Sequence, residues 1–159
     1  MCSSDLHALS ALQVDSLATA VLLHLAPADG DGDGWTLTWS TAGHLPPLLV
    51  HADGVDVLGP EDGDLMLGVD PTTPRSDRTR RVAPGDTLLL YSDGLVERAG
   101  EHIDDGLLRL RACVEAEAAH AGGTPDPDAL VDAVLARLLP GTVCDDVAVL
   151  AVRIEGHGG

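Results

Sequence analysis

The chain has 159 residues and a formal net charge of -17, from 26 acidic and 9 basic side chains, and 45% of its residues are hydrophobic. That length suits one domain, and that apolar share builds a core rather than a disordered tail. The acidity disfavours nucleic acid and anionic membrane surfaces as partners, and no stretch reaches the roughly eighteen uninterrupted apolar residues of a membrane span.

The N-terminus, Met1 to Asp5, carries no basic region of the kind that opens a secretory signal, so the expected location is the cytoplasm. Ser16 to Leu25 reads as a buried strand, and Trp35 to Thr41 alternates apolar and polar as a half-buried strand does. The Asp29–Gly34 run between them turns the chain, which predicts an antiparallel hairpin. Pro47 to Val50 and Val55 to Leu58 follow as strands around Ala52-Asp53-Gly54. Leu65 to Val69 is a short apolar piece, and Arg75 to Val82 is polar enough for an edge strand. After the Ala83–Asp86 turn, Thr87 to Ser92 is apolar enough for a central strand.

Helical spacing then takes over. Leu107, Leu110, Cys113 and Val114 mark a helix over 106–119, and Leu130, Val134, Leu135 and Leu138 mark another over 126–139. Asp126 is the expected N-cap with Pro127 at the first helical position, and Pro140-Gly141 is the expected stop. Val147 to Ile154 is the last strand. The expected domain is 1–155, with 156–159 a flexible tail. The order predicts α+β with a largely antiparallel sheet system. Cys2, Cys113 and Cys144 are odd in number and share no ligand spacing, so they read as reduced thiols, Cys113 on a buried helix face.

Three motifs can carry chemistry. Thr41-Ala42-Gly43-His44-Leu45-Pro46-Pro47 lies between two strands. Leu88-Leu89-Leu90-Tyr91-Ser92-Asp93-Gly94 is an apolar strand ending in Asp-Gly. Asp145-Asp146-Val147-Ala148 opens the last strand. A carboxylate at the end of a rigid strand is well placed to hold a cation, and a following glycine admits close backbone approach. Oxygen-only ligands favour Mg²⁺ or Mn²⁺ over Zn²⁺. Taken singly, each motif is also an ordinary turn or cap, and His44 alone reads as a hydrogen-bonded loop histidine.

Together and in this order, the motifs resemble the PPM-type metal-dependent protein serine/threonine phosphatases, in the bacterial branch similar to the sporulation phosphatase SpoIIE. The matching pieces are Ala42 to Pro47, Leu67-Gly68-Val69, Pro84 to Gly94 with Glu97, and Asp145 to Ala148. The resemblance spans about Ser16 to Arg153. It implies a layered β-sandwich flanked by helices, and a two-metal centre of Mn²⁺ or Mg²⁺ with Asp93, Gly94 and Asp145 among its ligands. Asp146 is implied as support for a ligand, and His44 and Gly43 as loop-shaping residues. The implied substrate is a phosphoserine or phosphothreonine protein, such as an anti-sigma-factor antagonist.

The family's earlier Asp-Gly strand, with a further acidic residue upstream of it, has no counterpart in these residues. The expectation is therefore a C-terminal part of the domain with its N-terminal strands missing, inactive alone and open to self-association through exposed sheet edges. The alternative is a degenerate, non-catalytic phosphatase-like module that binds a partner. Asp29–Gly34 also matches the first half of an EF-hand loop, but its twelfth position is Ser40 where a glutamate belongs, so it reads as an acidic hairpin tip.

Overall fold

In chain order the elements are α1 (Cys2–Ser10), β1 (Ala20–Pro27), β2 (Trp35–Ala42), β3 (Leu48–His51), β4 (Gly54–Val57), β5 (Arg78–Val82), β6 (Thr87–Tyr91), α2 (Ile103–Ala121), α3 (Pro127–Leu138) and β7 (Val149–Arg153). The computed structural model describes residues 2–10, 17–28, 33–59, 64–70, 72–139 and 146–156. The tip of the acidic run, the Pro140-Gly141 stop, Cys144, Asp145 and residues 157–159 of the expected tail lie outside the described residues. The chain forms two compact units. One contains residues 1–46, 59–84 and 156–159, and the other residues 47–58 and 85–155.

In the first unit β1, β2 and β5 form a sheet in the order β1-β2-β5. β1 and β2 pair antiparallel from Ala20 opposite Ala42 to Pro27 opposite Trp35, and the Ala28 amide donates to the Gly34 carbonyl at 3.0 Å where the loop begins. This is the hairpin that the glycine-rich run predicts. Leu37 and Trp39 alternate into the core, as the period of two requires. α1 packs on β1 and β2 and buries Cys2 and Leu6, one helical turn apart. β5 is an edge strand as expected, and Arg78, Arg80 and Arg81 give that edge the charge that discourages further pairing.

One expectation changes here. The strand expected as buried over 16–25 is found as β1, at the other edge of the sheet, mostly half-buried and with His24 exposed. Among the described residues it pairs on one side only, so its apolar run is not covered there as a central strand's would be. Within the short apolar piece Leu65–Val69, Leu67 forms an isolated antiparallel bridge with Ala18.

The second unit holds the sheet β4-β3-β6-β7, also antiparallel. β6 is central, between β3 and β7, and Leu88, Leu89 and Tyr91 are buried. α2 packs on β3 and β4, α3 packs on β7, and the two helices pack on each other. Leu110, Cys113 and Val114 face inward from α2, and Leu130, Val134 and Leu138 form a stripe at four-residue spacing on α3. Each such leucine contributes roughly 1.5–3 kcal/mol by leaving water. Asp126 caps α3 as expected, accepting from the Asp128 and Ala129 amides at 3.1 and 3.2 Å. α2 starts at Ile103 rather than Gly106, capped by the His102 ring, which accepts from the Asp104 amide. Among the described residues no helix is long and apolar enough to cross a membrane.

Candidate functional site

The Asp93-Gly94 turn grows directly out of β6. The strand ends at Tyr91, and residues Asp93–Leu95 form one turn of 3-10 helix. The Asp93 carbonyl accepts the Val96 and Glu97 amides at 2.9 and 2.8 Å, which consumes its backbone oxygen. Its carboxylate is exposed. Oδ1 accepts the Gly94 amide at 2.9 Å, and among the described residues no hydrogen bond occupies Oδ2. Leu95 and Val96, each 2% exposed, anchor the turn in the unit's core. The carboxylate is thus held at its base and open at its tip.

Ser92 ties this turn to the residues that lead into β7. Its amide donates to the Ala148 carbonyl at 2.9 Å. Its hydroxyl accepts the Ala148 amide at 2.8 Å and donates to the Asp146 carbonyl at 3.1 Å. The backbone at Asp146 is therefore bonded to the residue that immediately precedes Asp93. Asp146 is exposed. Asp145, the other expected ligand, lies outside the described residues. Sequence reasoning missed Ser92, whose motif position gave no sign that its hydroxyl would bridge to a segment 54 residues away. Burial pushes the Tyr91 phenol well above its ordinary range, so it stays neutral and offers no base beside the turn.

Gly43 and His44 belong to the first unit. Gly43 follows β2 with φ +67°, and a Cβ there would stand 2.5 Å from Met66 Cγ and 3.1 Å from Met66 backbone atoms. His44 is half-buried, and its Nδ1 shares a hydrogen bond with the Thr19 hydroxyl at 3.1 Å. Just ahead of them, buried Thr41 donates its hydroxyl to Asp64, and Arg75 Nη1 donates to the Thr41 and Leu65 carbonyls at 3.3 and 3.0 Å. These contacts tie the chain around Thr41 to residues 64–75.

Cys2 and Cys113 are free and buried, and burial raises the Cys113 thiol above its ordinary value. Among the described residues no group of three or more His, Cys, Asp or Glu side chains converges for a metal ion. What the described residues do supply is hard oxygen donors, the chemistry that suits Mg²⁺ or Mn²⁺.

A sequence model of the stage II sporulation protein E (SpoIIE) family matches residues 4–155. Among solved structures, the chain is similar to the RsbU and RsbW domains of Rv1364c from Mycobacterium tuberculosis. That match has 26% identity and a TM-score of 0.76, and covers 98% of this chain and 42% of that one. It is also similar to the manganese-presoaked phosphatase domain of the cell fate determinant SpoIIE from Bacillus subtilis, with 20% identity, a TM-score of 0.59, and coverage of 89% of this chain and 58% of that one. A structure of the PP2C phosphatase domain of the same Bacillus protein, with a fragment of its regulatory domain, matches at 21% identity and a TM-score of 0.61, covering 77% of this chain and 35% of that one. The chain therefore spans less than two thirds of the length of each of these relatives. The Bacillus likenesses establish the fold, α+β with antiparallel sheets, as that of a PP2C-type domain.

Proposed function

Because the chain belongs to the SpoIIE family of PPM-type phosphatases, we propose that it contributes to metal-dependent hydrolysis of phosphoserine or phosphothreonine in a regulatory protein. The observation that carries this reading is the Asp93 turn. An exposed carboxylate stands at the end of a buried central strand, with one oxygen fixed by the Gly94 amide and the other open. Ser92 bonds that turn to the backbone at Asp146. Asp93, Asp145 and the backbone at Gly94 would hold Mn²⁺ or Mg²⁺, and Asp146 would orient a ligand. When bound, such ions supply Lewis-acid activation of water and neutralise charge on the phosphoryl group. Asp93 would hold its carboxylate rigidly, so little ordering remains to be done when the cation arrives.

The family's earlier Asp-Gly strand has no match in these 159 residues, so the chain alone is expected to be inactive. The proposed substrate is a phosphoprotein such as an anti-sigma-factor antagonist, and the proposed setting is the cytoplasm.

The test is Mn²⁺-dependent phosphate release from a phosphoserine peptide. The chain would be assayed beside a form extended upstream to an in-frame Asp-Gly strand, each with its Asp93→Asn variant. Activity confined to the extended form, and abolished by Asp93→Asn, is the expected result. Activity in the short chain would overturn the expectation of a partial metal site. Inactivity of both forms would transfer the reading to a non-catalytic binding module.

A further inference from the structure

Val96 is where α2 grips the Asp93 turn. A Cβ on Gly106 would stand 2.1 Å from the Val96 carbonyl oxygen and 2.8 Å from its carbon. No side chain fits there, so glycine lets the helix come down onto the peptide itself. Near the same point, Arg109 Nη2 donates to the same oxygen at 3.4 Å, while Nη1 pairs with Glu101. On the far side of the residue, the Val96 amide donates to the Asp93 carbonyl at 2.9 Å. A continuous path of contacts therefore runs from Gly106 and Arg109, through Val96, to the backbone of Asp93.

The placement of Arg109 is not that of a merely solvated helix arginine. Its neighbour Arg111 shows the ordinary arrangement, pairing along the helix surface with Glu115 at 2.7 Å. Arg109 instead reaches off the helix to a backbone carbonyl, and its Nε is buried without a hydrogen bond among the described residues. The segment after the turn is tied down as well, since Arg98 Nη2 donates to the Leu138 carbonyl at 3.1 Å.

We infer that Gly106 and Arg109 are positioning residues that set the direction of the Asp93 carboxylate through the backbone of Val96. This deepens the metal-ligand reading of Asp93 and rests on it. Residues that orient a ligand from behind change metal affinity by about 10–100-fold when removed. Here the contact is one peptide removed from the ligand, so the lower end, about tenfold, is expected.

Gly106→Ala would drive a methyl into the carbonyl and push the helix off the turn, so Arg109 carries the test. The isotopically labelled 159-residue chain is titrated with Mn²⁺, and paramagnetic broadening of the Gly94 and Leu95 amide signals is followed by NMR. Wild type, Asp93→Asn, Arg109→Ala and the control Arg111→Ala are compared, with the melting temperature of each measured without metal. Asp93→Asn should abolish the broadening, and Arg111→Ala should leave it unchanged. Arg109→Ala should need about tenfold more Mn²⁺ while melting alongside Arg111→Ala. An Arg109→Ala midpoint equal to that of Arg111→Ala, with Asp93→Asn still abolishing the broadening, sinks this inference alone. A weaker midpoint that only follows a fallen melting temperature makes Arg109 a structural residue and also overturns it. No broadening in wild type, or broadening indifferent to Asp93→Asn, removes the reading that Asp93 holds the ion in this chain, and this inference with it; Mn²⁺-dependent activity of the upstream-extended form tests the metal reading separately.

Discussion

The loops that leave β2 and β6 each carry a glycine motif, and they are held in shape by opposite means. After β2, Gly43 sits at φ +67° with Met66 filling the space a side chain would need. That loop is fixed by sterics, and only glycine satisfies both demands. After β6, Gly94 lies inside a 3-10 turn, where the backbone is helical and no positive φ is required. This second turn is fixed by hydrogen bonds to Asp93, Ser92 and Val96. The difference separates two kinds of motif glycine. The first protects the shape of a loop, and the second accompanies a carboxylate that the turn presents to solvent.

Gly43→Ala is the strongest way to break this comparison. It combines a left-handed backbone with overpacking against Met66, for a cost of about 2–4 kcal/mol. Urea unfolding measures it, and a midpoint close to wild type would show that the loop relaxes freely.

A second probe concerns the dry side of the β6 turn. Tyr91 is buried and its phenol is raised from an ordinary value of 10.0. A group raised in the folded state contributes stability that is fully present below its unfolded pKa, about 10, and is lost as the pH climbs beyond it. Melting temperature should therefore fall from about pH 10 upward, and Tyr91→Phe should flatten that part of the fall. Equal slopes in the two proteins would mean that water reaches the ring.

The same contrast explains what could be read from the sequence. β2, β6 and α3 were legible because their periodicity and caps are local: alternation in Trp35 to Thr41, the apolar run Thr87 to Ser92, and Asp126-Pro127. The edge position of β1 was not, because an apolar run reports its own hydrophobicity and not whether a neighbour covers it. The start of α2 was hidden behind His102, whose ring caps the helix although histidine is an uncommon N-cap. At the site, Asp93, Gly94 and Asp146 were visible as motif residues. The roles of Ser92, itself in the motif, and of Arg109 were not, because they depend on partners 54 and 13 residues away. Asp145 lies outside the described residues, so its role stays a proposal.

Asp93→Asn addresses the turn's hydrogen bonds directly. An amide oxygen can still accept the Gly94 amide, and only the charge assistance of that bond is lost, so stability should change by no more than about 1 kcal/mol. A larger loss would mean that Asp93 holds the fold and that its metal role is secondary.

The smallest effect is expected from Gly94→Ala. In a helical turn without positive φ, alanine restricts the unfolded chain and adds little backbone strain to the folded one. The net change in unfolding free energy should lie within about half a kcal/mol of zero. This is the sharpest form of the comparison, because the same substitution at Gly43 is expected to be several times more costly. Equal losses at both positions would show that the β6 turn, too, is held by its glycine, and that hydrogen bonding alone does not fix the Asp93 carboxylate.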